Sequence, residues 1–180
     1  MNFTPETSKA MDVPYYDDVR AEDGWQGQRT AKSADVLKAE IATAIGRLGG
    51  LVSAFQQGTF VIDGKSRQGF QIHYAIQSMN GQYVPGRIDV AALPVRANSA
   101  RLRDASMQMA LYMVREAIDG MWFLQQLSPG YAPLMPWMLA DGKRTVSQMW
   151  ADSAIMNNLL PPSDSDFIEA KALKITKKAG

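Results

Sequence analysis

The heptapeptide Phe70-Gln71-Ile72-His73-Tyr74-Ala75-Ile76 sets the architecture of this chain. Phe70, Ile72, Tyr74 and Ile76 alternate with Gln71, His73 and Ala75, a period of two that predicts a strand with one buried face. Upstream, Leu51 to Phe55 is short and apolar, and Thr59 to Ile62 leads into Asp63-Gly64. The Asp-Gly pair and the polar run to Gln68 predict a hairpin loop. Downstream, Met79-Asn80-Gly81-Gln82 is a turn signal, after which Ile88 and Val90 take one face of a further strand and Arg87 and Asp89 the other. That strand should stop near Pro94, which cannot donate to a ladder. The centre of the chain therefore reads as an antiparallel meander of three or four strands.

Helical patterns flank it. Ser33 is placed to cap a helix whose first turn carries Asp35 and whose Leu37, Ile41, Ala44, Ile45 and Leu48 share one face; Gly49-Gly50 should end it. A long helix is predicted from about Ser99 to Leu127. Its apolar residues, from Leu102 through Met107, Leu111, Met113, Ile118 and Met121 to Leu124, fill more than half the wheel, leaving a polar stripe of Arg101, Asp104, Gln108, Arg115 and Asp119. An apolar arc that wide needs cover on two flanks, by the sheet on one side and by the first helix, the C-terminal segment or a second subunit on the other. Ser128-Pro129-Gly130 should end the helix. Tyr131 to Ala140 is apolar and punctuated by Pro, and a short helix follows from about Thr145 to Asn157. The expected class is α+β, in the order helix, meander, long helix, then an irregular Pro-rich segment with a short helix. Residues 1–30 read as a flexible acidic arm, 31–160 as a single α+β domain, and 161–180 as a flexible basic tail.

With 180 residues and 46% hydrophobic content the chain can bury one substantial core. The absence of Cys excludes disulfides, thiolate nucleophiles and sulfur-based zinc sites. No apolar run approaches the ~18 residues of a membrane span, and the N-terminus lacks the apolar core of a signal peptide, so a cytoplasmic location without membrane contact is expected. No Walker-type loop, GxGxxG motif or cluster with metal-ligand spacing is present. His73 is the only histidine and no partnering constellation surrounds it. A non-catalytic protein without cofactor or metal is the expectation.

Charge is distributed unevenly along the chain. Met1 to Gln28 holds six acids and two bases, a net charge of −4, whereas Lys65, Arg67, Arg87, Arg96, Arg101 and Arg103 face only Asp89 between positions 65 and 103. If hairpin tip and long-helix start lie on one side of the sheet, these cations form one positive rim able to engage phosphates, with Tyr74 and Tyr83 as stacking faces. Two Arg at a helix start run against the macrodipole preference for acids there, which favours a functional reading. The rim points to nucleic acid as partner, with single-stranded DNA slightly favoured, and the acidic arm should compete for it. Tyr15 and Tyr16 in the arm, and Trp137 and Trp150 in the Met- and Trp-rich C-terminal region, are candidate contacts for a protein partner or for a homo-oligomer. A structural or adaptor protein docking through that region is the competing reading.

Leu134, Pro136, Leu139, Asp141, Gly142, Lys143, Arg144, Thr145 and Val146 follow a long helix after a strand-rich first half. In this the stretch from Arg103 to Trp150, about a third of the chain, resembles a group of small uncharacterised phage and mobile-element proteins. The resemblance implies such an origin and no particular activity. The order of elements is also similar to that of double-stranded-RNA-binding domains and of the cores of single-strand annealing proteins.

Overall fold

The computed structural model describes residues 13–152 apart from 63 and 79. The basic tail, Met1 to Asp12 of the acidic arm, and residues 153–157 of the expected last helix lie outside the described residues. The order is a 3-10 turn (Ala21–Asp23), α1 (Ala34–Arg47), β1 (Gly50–Ile62), β2 (Lys65–Gln77), β3 (Tyr83–Ala91), α2 (Ala100–Leu127), a second 3-10 turn (Met135–Trp137) and α3 (Val146–Asp152). The three strands form an antiparallel sheet in the order β1-β2-β3, which gives the expected α+β class.

The local signals act where the sequence places them. The Ser33 and Ser99 side chains accept hydrogen bonds from the Val36 and Leu102 amides, satisfying donors that the first helical turns leave orphaned. Gly49, with φ of 85°, turns the chain from α1 into β1 in the left-handed region that favours glycine. Thr145 and Gln148 form a reciprocal capping box at the start of α3, each side chain accepting from the other's amide.

The meander differs from expectation in its first hairpin. β1 is one continuous 13-residue strand, interrupted only by a bulge between Val52 and Ala54. β2 starts at Lys65, which pairs with Ile62, so Lys65 and Arg67 are strand residues beyond a tight turn and not part of a long loop. Uninterrupted cross-strand pairing from Ile62↔Lys65 to Gly58↔Gly69 outweighs the polar character of that run.

Phe70, Ile72, Tyr74 and Ile76 of β2, with Ile88 and Val90 of β3, face α1 and α2, and all are buried. Leu37, Ile41, Ala44, Ile45 and Leu48 of α1 lie under them. α1 packs along α2, and the seam between them carries charge as well as apolar contact. Lys32 pairs with Glu40 at 2.6 Å, and Arg115 approaches Glu40 at 3.4 Å and Asp119 at 3.1 Å. The Arg47 guanidinium lies 4.2 Å from the Trp122 ring centroid. The hydrogen bond from Lys32 and the nearby Arg115 charge hold the Glu40 carboxyl below its usual range.

The second flank of α2 is covered by a segment expected to be a mobile arm. Tyr16 and Val19 are buried against Met109, with Trp25, Leu93, Val95, Leu102 and Ala105 around them. The Tyr16 amide donates to the Pro94 carbonyl, its hydroxyl to the Gln28 carbonyl, and the Gln28 side-chain amide donates to the Tyr16 and Val19 carbonyls. Gly27 is pressed onto Tyr112 so closely that a Cβ there would sit 2.5 Å from the ring. Of residues 13–30, Tyr16 and Val19 belong to the core because they cover part of the excess apolar arc of α2 while the segment's hydrogen bonds satisfy its backbone.

The chain divides into two compact units, Met1–Leu134 and Met135–Gly180, where one domain over 31–160 was expected. In the second unit the Leu139 to Thr145 bridge closes a turn in which the Asp141 carboxylate accepts from the Lys143 and Arg144 amides and the Arg144 guanidinium. Those bonds lower its pKa well below the usual carboxylate range.

Candidate functional site

β1 and β2 extend past the end of β3, and beside that extension the chain leaves Ala91 and runs through residues 92–99 into α2. Three contacts hold this connection in place. The Arg67 guanidinium donates to the Ala92 and Ala91 carbonyls at 2.8 and 2.9 Å, the Ser106 hydroxyl donates to the Leu93 carbonyl at 2.8 Å, and the Tyr16 amide takes the Pro94 carbonyl. Between the strand extension and the connection lies a cleft of about 310 Å³. Arg67 from β2, Arg96 from the connection and Arg103 from α2 line it, with Ser66, Gln68 and Asn98 as further polar groups. Among the described residues, no carboxylate lines it.

The three arginines are engaged to different degrees. Arg67 is partly buried, which lowers its pKa, and it spends Nε and one Nη on the two carbonyls. A guanidinium has five N–H donors, so others remain for a ligand. Arg103 donates to the Asn98 side-chain oxygen at 2.7 Å. Arg96 is held by the N-terminal segment: its two terminal nitrogens meet the two Asp18 oxygens at 2.8 and 2.6 Å, its amide donates to Asp17, and its guanidinium lies 4.8 Å from the Tyr15 ring centroid. Asp18 thus occupies one cation of the cleft with the planar, two-oxygen geometry that a phosphate would use.

Lys65 and Arg101 are exposed, each two positions along the chain from a cleft arginine, and neither has an ion-pair partner among the described residues. The other three proposed rim residues are elsewhere. Tyr74 is 2% exposed and its hydroxyl donates to the Leu134 carbonyl, so burial raises its pKa and its ring offers no stacking face. Tyr83 is exposed but opens β3, eight residues and roughly 27 Å from the Ala91 end. Arg87 lies on the sheet face away from the helices, opposite His73, in a bidentate pair with Asp89 of its own strand.

The proposed partner contacts divide in the same way. Tyr16 is core and unavailable, and Tyr15 lies against Arg96. Trp137 is half-buried and Trp150 is 47% exposed. A larger cleft of about 610 Å³, bordered by Arg20, Trp25, Arg29 and Tyr112, also contains Glu22, and its Arg20 donates from one terminal nitrogen to the Asp17 and Val19 carbonyls. Sequence reasoning missed Asp17 and Asp18 as the latch on Arg96, and Asn98 and Ser66 as cleft groups. The charge reversal signalled the first; the second carries no pattern that a sequence displays.

Among the described residues no group of three His, Cys, Asp or Glu could hold a metal ion, and no helix is long and apolar enough to cross a membrane. No protein-family model, no curated protein and no solved structure matches this chain.

Proposed function

We propose that the chain is a non-catalytic nucleic-acid-binding protein of phage or mobile-element type that engages backbone phosphates in the cleft of Arg67, Arg96 and Arg103, with Lys65 and Arg101 extending its reach. The observation that carries this reading is the convergence of three guanidiniums, from β2, the connection and α2, on a cleft lined by no carboxylate among the described residues. Guanidiniums so placed suit phosphate oxygens, and phosphate contacts supply most sequence-independent affinity. Asp18 is the tethered competitor, exchanged for phosphate when nucleic acid binds. With Tyr74 buried and Tyr83 remote, base stacking is no part of the proposal.

Fluorescence anisotropy with single- and double-stranded labelled oligonucleotides, over a range of salt concentrations, tests it. Binding should weaken steeply with salt, and Arg103→Gln should reduce the log–log slope by about 0.7 to 0.9. Absence of binding at micromolar protein and low salt, or a slope unchanged by Arg103→Gln, contradicts the reading. The competing adaptor reading has its own observation, the exposure of Met135 and Trp150 at 45% and 47%. It expects partner capture that is insensitive to salt.

A further inference from the structure

β1 is an edge strand of an unusual composition. Its thirteen residues, Gly50 to Ile62, include no charged residue and no proline, and Leu51 and Val61 are 69% and 74% exposed. Soluble proteins commonly protect a long edge with charge, proline or a covering element, because its unpaired amides and carbonyls template pairing with another chain.

The pairing pattern shows which groups are open. The Gln77 amide donates to the Gly49 carbonyl, and the Ala92 amide to the Gln68 carbonyl. Odd-numbered residues of β2 therefore exchange bonds with β1 and even-numbered ones with β3. In the observed register Ala54, Gln56, Gly58 and Phe60 face β2, so Phe55, Gln57, Thr59 and Val61 direct their backbone groups away from the sheet. None of these four has a backbone partner among the described residues. The opposite edge is protected. Pro85 of β3 is opposite Ala75, in the outward-facing set, and has no N–H; Arg87 and Asp89 place charge on the same strand, and Arg67 caps the Ala91 carbonyl.

We infer that β1 pairs antiparallel with β1 of a second copy across a two-fold axis at Gly58, joining two three-stranded sheets into one of six. The occupant follows from charge and register. An isologous contact sets a strand against itself, so any charge would lie near its like; β1 has none. With the axis at Gly58, Phe55 faces Val61 of the partner subunit and Gln57 faces Thr59 of the partner subunit. All four open residues then form hydrogen-bonded pairs, about eight backbone bonds in total. Phe55 against the partner's Val61 is an aromatic to β-branched pair of the kind that stabilises sheets. A head-to-tail alternative, β1 on β3, meets Pro85 and the charges of β3. The inference is independent of the phosphate cleft.

The absence of cysteine from the chain makes a direct test available. Facing Gly58 positions would form a non-hydrogen-bonded pair with Cα atoms about 4.5 Å apart, inside the disulfide range of about 4.4 to 6.8 Å. A Cβ at Gly58 meets nothing within 4 Å, so Gly58→Cys fits the folded chain. Mild oxidation should convert Gly58→Cys largely to a covalent dimer. Gln56→Cys, whose two copies would lie about 14 Å apart in this register, should stay uncrosslinked. Light scattering should give twice the chain mass at tens of micromolar for the unmodified protein, and the monomer mass for Thr59→Pro, which removes an outward donor and no bond to β2. Circular dichroism checks that Thr59→Pro is folded; if it is not, the two cysteine variants decide. A monomer at that concentration, an assembly larger than a dimer, or equal crosslinking of the two cysteine variants overturns the inference.

Discussion

Removing the Asp18 carboxylate should strengthen nucleic-acid binding, and by an amount the structure bounds. Asp18 meets Arg96 through two short contacts, but the two side chains are 45% and 60% exposed. An exposed pair of this kind contributes about 0.2 to 1 kcal/mol. At about 0.2 to 1 kcal/mol Arg96 is free for roughly 15 to 40% of the time, so releasing it raises apparent affinity about 2- to 6-fold. Asp18→Ala is the suitable perturbation, because truncating the whole N-terminal segment would also remove Tyr16 and Val19 from the core and test folding instead. Anisotropy titrations at low and high salt provide the assay. The gain should be largest at low salt and shrink as screening weakens both the latch and its competitor. In an Arg96→Gln background Asp18→Ala should have no further effect, since two residues acting through one contact are not additive. Unchanged or weaker binding by Asp18→Ala refutes the latch. So does a gain that persists without Arg96, which would assign the effect to general charge.

Other expected outcomes follow from the core. Tyr74→Phe leaves the buried Leu134 carbonyl without its donor and should cost about 1 to 2 kcal/mol in urea unfolding. The raised pKa of Tyr74 also has a pH consequence: its contribution is full below the unfolded value of 10.0 and is lost as pH rises towards the folded value, so Tyr74→Phe should unfold less steeply above pH 10.0 than the parent. Glu40 shows the opposite sign. Its pKa is lowered by Lys32, so its contribution is present above the unfolded value of 4.5 and lost as pH falls through the folded one; Glu40→Gln should flatten the acid limb of thermal stability. Tyr16→Ala, at a site 7% exposed, should destabilise the chain by about 3 kcal/mol, measurable by denaturant titration, whereas a solvated arm would give no change.

The features legible in the chain alone are short in range. The alternation from Phe70 to Ile76, the caps at Ser33 and Ser99, the buried face of α1 and the length of α2 are written in neighbouring residues, because strand and helix periods and caps act over two to four positions. That alternation also turned Tyr74 inward with Phe70 and Ile72, which was legible and argued against a stacking role. The rest depends on partners far apart in the chain, which only the folded arrangement brings together. Arg96 is met by Asp18 from 78 positions away, and Arg67 by carbonyls 24 and 25 positions away. A count of charges says which cations exist; the packing of residues 13–30 onto α2 says which of them are already spent. The same holds for the edge of β1. Its lack of charge is visible in the sequence, but that it is an edge, and which of its amides face outward, depend on strand order and register, which non-local hydrogen bonds alone establish.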